Sequence, residues 1–161
     1  MTAIRKDKDS PEFIDVYLTE SKAFFASGFD PSFEKSLDKF ELSTLAFVDR
    51  SQALISKSDG TGRFKVYFNF GAKWSKPIEG KSPDSIEPAS PSEEPVNPES
   101  LVTIECEIVA EFSLSKRYEQ AYLDNFALSN AVDFVAPYWK NYLINQCGLM
   151  RIQKLPIPDF S

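Results

Sequence analysis

Val102-Thr103-Ile104-Glu105-Cys106-Glu107-Ile108-Val109-Ala110-Glu111-Phe112-Ser113-Leu114 is the stretch that decides the fold. Its even-numbered positions are all apolar, while the odd ones carry Thr103, Glu105, Glu107, Glu111 and Ser113 around a single Val109. A period of two held for that length is a half-buried β-strand with a core face and a mostly acidic face. Upstream, Phe64, Val66, Phe68 and Phe70 alternate with Lys65, Tyr67 and Asn69, giving a second such strand of opposite charge tendency. Paired antiparallel, the two set Lys65 and the glutamates on one exposed face.

Between these strands the composition changes abruptly. Ser75 to Ser100 holds Pro77, Pro83, Pro88, Pro91, Pro95 and Pro98, with six acids (Glu79, Asp84, Glu87, Glu93, Glu94, Glu99) against Lys76 and Lys81. A packed element cannot be built from this mixture, so the segment reads as a disordered acidic Pro/Ser-rich insertion in the hairpin of one domain spanning 1–161. It contributes −4 of the total formal charge of −6, which leaves the folded part close to neutral.

Further out, Phe13 to Ala26 is rich in aromatic and β-branched residues. Phe40, Leu42, Thr44, Ala46 and Val48 recur at period two, and Asp59-Gly60-Thr61-Gly62 turns the chain into the Phe64 strand. Four strands result, with a loop from Ser27 to Phe33 carrying Phe29 and Phe33 between the first two. After the last strand, Glu119 to Leu128 is a short amphipathic segment. Val132, Val135, Tyr138, Tyr142 and Leu143 then mark a longer helix with Asn130 as N-cap and Gly148 as its stop. Pro137 falls about two turns inside it, which implies a later start or a kink. Leu149 to Phe160 contains two prolines and reads as extended.

Composition removes several function classes. No stretch approaches the ~20 apolar residues of a membrane helix, and the N-terminus runs directly into mixed charge, so a cytoplasmic address is expected. Histidine is absent, and Cys106 and Cys147 stand far apart and read as free thiols, so no metal or cofactor is expected. The fourteen phenylalanines are not interleaved with a basic stripe, which disfavours nucleic acid. Glu105 and Glu107 lie about 7 Å apart along a strand; as a carboxylate pair they are better read as solvated surface, and no catalytic site assembles. Asp59-Gly60-Thr61-Gly62 lacks the Lys-Ser/Thr of a phosphate loop. The chain reads as a non-enzyme.

What stands out is an aromatic surplus: Phe24, Phe25, Phe29, Phe33, Tyr138, Trp139, Tyr142 and Phe160 exceed the needs of a small sheet and one helix. They fill a core or an oligomer interface, or they line an exposed groove that binds polypeptide by area. Periodicity does not choose between these.

The C-terminal third resembles the SecB chaperone family. The residues that carry the resemblance are Phe134-Val135-Ala136-Pro137-Tyr138-Trp139-Lys140-Asn141-Tyr142-Leu143, then Gly148, then Leu155-Pro156-Ile157-Pro158-Asp159-Phe160, similar to the family's Pro-Tyr helix, its glycine and its Leu-x-Pro-x-x-Phe loop. The resemblance implies an α+β fold: a four-stranded antiparallel sheet with the long C-terminal helix packed on one face, assembled as a homotetrameric dimer of dimers. It also implies a holdase that binds unfolded or extended polypeptide in an apolar groove. Carried over by position, that groove draws on Phe29, Phe33, Tyr138, Tyr142, Met150, Ile152, Leu155 and Ile157. Glu105 and Glu107 would correspond to the outward acids with which export chaperones of the family dock SecA.

Two departures accompany the resemblance. The sequence ends at Ser161, where the family continues into a final helix, and the acidic insertion interrupts a hairpin that is normally tight. Some SecB-like proteins serve a single antitoxin in a toxin–antitoxin–chaperone module. Exported preproteins and a dedicated antitoxin therefore both stand as clients. The alternative outside the chaperone class is an interaction subunit whose aromatic surface pairs with one folded partner.

Overall fold

The computed structural model describes residues 10–77 and 99–158. Four strands form one antiparallel sheet: β1 (Glu12–Phe25), β2 (Glu41–Ile55), β3 (Gly62–Ser75) and β4 (Val102–Leu114), in the spatial order β1-β4-β3-β2. Two helices follow, α1 (Gln120–Ser129) and α2 (Val132–Leu149), both laid on the same face. The expected α+β architecture is therefore observed. Most of the Ser75–Ser100 insertion, namely 78–98, lies outside the described residues; Ser75 closes β3, and Leu101 returns by donating its N–H to the Trp74 carbonyl (2.8 Å).

β3 and β4 pair without irregularity, Phe64 with Phe112, Phe68 with Ile108 and Trp74 with Val102. Their even-numbered side chains are buried beneath the helices. Phe112 meets Phe126 of α1 edge-on (5.0 Å, 88°) and Phe134 of α2 (5.4 Å, 83°), while Phe70 stacks on Trp139 (5.2 Å, 13°). Such contacts add about 0.5–1.5 kcal/mol each beyond area burial. Lys65 faces Glu111 across the strands on the opposite, open face.

The outer strands behave differently. β2 continues seven residues past Val48, because a bulge between Val48 and Arg50 reverses the parity: Leu42, Thr44, Ala46 and Val48 pair toward the helix side, then Ser51, Ala53 and Ile55. β1 has two such shifts, between Phe13 and Asp15 and between Leu18 and Glu20. A bulge adds one residue and switches every later side chain to the other face.

The helix ends differ from the sequence reading. Asn130 closes α1 by donating its N–H to the Phe126 carbonyl (2.9 Å), and Ala131 precedes α2. Gly148 lies inside α2, which ends in a Schellman motif: the Ile152 N–H reaches the Cys147 carbonyl (2.9 Å) and the Arg151 N–H that of Gly148 (3.2 Å). Arg151 takes the left-handed conformation (φ 58°) usually given to glycine, and Ile152, fully buried, plugs the end. Pro137 is accommodated within the helix; it has no N–H for the Asp133 carbonyl. The buried stripe of α2 is Val135, Trp139, Leu143 and Cys147, so Tyr138 and Tyr142 flank the stripe rather than form it.

Candidate functional site

The loop between β1 and β2 crosses the end of the sheet and is held at several points. Asp30 accepts from the Ser32 N–H (2.9 Å) and caps the short 3-10 turn Pro31–Phe33, and Glu34 pairs with Lys76 beside β3 (3.0 Å). Leu37 and Phe40 are buried, and Phe29 bridges Phe25 (5.9 Å) and Phe40 (6.0 Å). Phe33 is left standing in solvent on this anchored turn, 86% exposed.

The residues after α2 arrive at the same end of the sheet. Trp74, fully buried, donates its indole N–H to the Pro156 carbonyl (2.7 Å). Ile152 (0%) and Leu155 (3%) belong to the core cluster that also contains Leu37, Phe40 and Trp74, so these two expected groove residues are not surface in the chain as it stands. Apolar side chains this close to a sheet end bury themselves when nothing else covers them. Met150, Tyr138 and Tyr142 are half-buried against the core, and Ile157 stays at the surface beside Pro156. Tyr142 sits next to Trp139 (6.0 Å), its hydroxyl pushed up by burial against the opposing pull of a hydrogen bond with Ser21 of β1. The structure thus gathers Phe29, Ile152 and Leu155 into the core cluster or against it, leaves Phe33 and Ile157 exposed, and sets Tyr142 on the β1 side.

A part of the surface that the sequence reading missed lies along β2. On the open face Leu45 (57%), Phe47 (43%) and Leu54 (53%) are exposed, and β2 is an edge strand with one flank unpaired among the described residues. The signal was present in Leu42-Ser43-Thr44-Leu45-Ala46-Phe47-Val48, apolar at both parities from Leu45 on. Beside it Gly71, which has no Cβ to fill the space between Leu45 and Glu105, floors a shallow depression of about 270 Å³.

Glu105 and Glu107 both face this open side, but each has a partner. Glu107 accepts from Arg50 (3.1 Å) and from the Thr19 hydroxyl (2.8 Å), while Arg50 lies over the Tyr67 ring (3.9 Å). One line of contacts thereby crosses all four strands, and the bulges at Thr19 and next to Arg50 aim its two ends at Glu107. Glu105 stands near Lys73 (3.7 Å) in a looser, exposed pair.

Nothing at these places suits bond-making chemistry. Both cysteines are buried, and burial pushes the Cys106 thiol up to about 12 and that of Cys147 up to about 11, so neither offers a thiolate near neutrality. Among the described residues no group of three or more Cys, Asp or Glu side chains converges as a metal site, and no helix is long and apolar enough to cross a membrane. The arrangement instead offers area: a strand edge unpaired among the described residues, apolar side chains along it, and an aromatic loop at its end.

No protein-family model matches the sequence, and no curated protein matches it. Among solved structures, the chain is similar to the SecB-like chaperone Rv1957 of Mycobacterium tuberculosis, solved in complex with a ChAD peptide from the HigA1 antitoxin Rv1956. The match covers 94% of this chain and 91% of that one, with a TM-score of 0.57 and 13% sequence identity. At that identity the likeness is one of architecture: the chain has a SecB-like fold.

Proposed function

We propose that this protein is a holdase chaperone that keeps an unfolded or extended polypeptide from aggregating, without performing catalysis. The observation that carries the reading is the β2 edge, unpaired among the described residues and lined by Leu45, Phe47 and Leu54. An extended client adds main-chain hydrogen bonds to such an edge and alternates its side chains between the two faces. On the open face they meet Leu45 and Phe47; on the other they run toward Phe40 and the crossover loop, where Phe33 waits. Each fully desolvated large apolar side chain contributes about 1.5–3 kcal/mol before the cost of ordering the client, so binding is spread over many contacts and tolerates varied sequences.

The similar fold that holds an antitoxin peptide supports a polypeptide client. An antitoxin in a toxin–antitoxin pair and exported preproteins are both compatible, in a cytoplasmic homotetramer built as a dimer of dimers. Handover to SecA through Glu105 and Glu107 is the weaker element of this reading, since Glu107 is already committed to Arg50 and Thr19.

The test is aggregation of several unrelated unfolded proteins, followed by light scattering with and without the chain. Suppression across them supports a general holdase, and protection of one client supports a dedicated chaperone. No suppression for any, together with binding of one folded protein, would make it an interaction subunit instead.

A further inference from the structure

The segment after α2 is extended, apolar at intervals, and barely attached. Beyond the Schellman motif, the described residues 153–158 make one backbone hydrogen bond, Leu155 N–H to the Ile152 carbonyl (3.0 Å), and that bond is internal to the segment. Pro156 and Pro158 have no N–H to give. What ties the segment to the sheet is the Trp74 indole N–H on the Pro156 carbonyl and the burial of Leu155. Trp74 pairs with Leu42, so this seat lies at the N-terminal end of β2, in line with the edge assigned above to the client.

We infer that Leu155-Pro156-Ile157 is a built-in pseudo-client. It occupies the end slot of the groove, and an incoming polypeptide displaces it by offering the same two features: a large aliphatic side chain for the Leu155 seat and the next backbone carbonyl for the Trp74 indole. Displacement pivots at Gln153, because Ile152 is held in place as the plug of α2 and its N–H remains bonded to Cys147. Little else must break, which makes this the part of the core that can be exchanged. The inference rests on the chaperone reading and names the client's anchoring chemistry: a leucine- or isoleucine-bearing extended segment.

The chain has two tryptophans, so Trp139→Phe leaves Trp74 as the sole indole reporter. The probe is a reduced, alkylated, permanently unfolded protein without tryptophan. Binding should change Trp74 emission as the client replaces Pro156 at the indole, and amide exchange at Leu155, the one bonded N–H of the segment, should accelerate by tenfold or more. In the same background Leu155→Ala should bind the probe at least threefold more tightly; if it melts too low to assay, Leu155→Val serves, with a smaller gain. A probe that binds while Trp74 emission and tail exchange stay unchanged overturns the pseudo-client and leaves the chaperone reading standing. Absence of binding to the parent and to both variants removes the chaperone reading and the pseudo-client with it.

Discussion

β1 and β2 hold equivalent places, one at each edge of the sheet, and they deal with that position in opposite ways. On the open face the middle of β1 is mostly charged, with Asp15, Glu20 and Lys22 around Tyr17, and two bulges interrupt its register. Its exposed apolar residues, Phe13, Ile14 and Phe24, stand at its ends, and Phe13 is stacked on Phe134 of α2 (5.0 Å). β2 pairs evenly from Glu41 to Val48 and presents Leu45 and Phe47 in the second half of that run. Bulges and charges blunt an edge against unwanted pairing. The edge without them over its first half is the one available to a partner strand.

The comparison breaks most visibly at Gly62, where β2 and β3 meet. A Cβ there would fall on the Leu54 carbonyl, so Gly62→Ala should force the hairpin apart and cost about 2–4 kcal/mol in chemical denaturation. If β2 is the client edge, capture should fall with it.

Next in size is Leu45→Ser with Phe47→Ser. Client affinity should drop about tenfold or more, while the melting temperature moves by no more than about 2 °C, because both side chains are already exposed. The matched change on the other edge, Ile14→Ser with Phe24→Ser, should leave capture unaltered. Equal losses from the two pairs would erase the distinction between the edges.

Cys106 sharpens it from beneath, since it pairs with Ser21 of β1 and Phe70 of β3 under α2. Burial raises its thiol to about 12 from an ordinary 9, so the fold favours the protonated form. The stability this represents is complete below pH 9 and is lost as the pH climbs toward 12. Cys106→Ala should flatten that alkaline decline, and thiol reagents should label Cys106 only when the β1 side opens.

The smallest effect separates stability from either edge. Arg151 holds a backbone conformation that suits glycine, so Arg151→Gly should raise stability by about 0.5–1 kcal/mol in urea titration, with no change at β1 or β2.

β3 and β4 were legible because they are central, regular and roofed on one face, so nothing disturbs the alternation that reports burial. β1 and β2 were only half legible: each bulge inverts the parity, and a reader counting by twos loses the strand there. The end of α2 was misplaced at Gly148 because the left-handed cap fell to an arginine, held by two backbone hydrogen bonds and the Ile152 plug. Of the site, the loop aromatics Phe29 and Phe33 were visible as surplus. Leu45 and Phe47 were not, since a strand apolar at both parities looks like core until its place at the edge is known. The burial of Ile152 and Leu155 depends on where the chain goes after α2, which no local pattern encodes.

The contacts from Arg50 to Glu107 to Thr19 also have a mechanical meaning. Ladder hydrogen bonds connect each strand only to its neighbour, so a force applied along β2 would be passed on one shear plane at a time. The Arg50–Glu107–Thr19 line runs across the strands and works as a cross-tie, joining the β2 edge to the β1 edge without passing through the helices. A client tugged from β2 would therefore load β4 and β1 through these side chains as well as through the ladder between neighbouring strands.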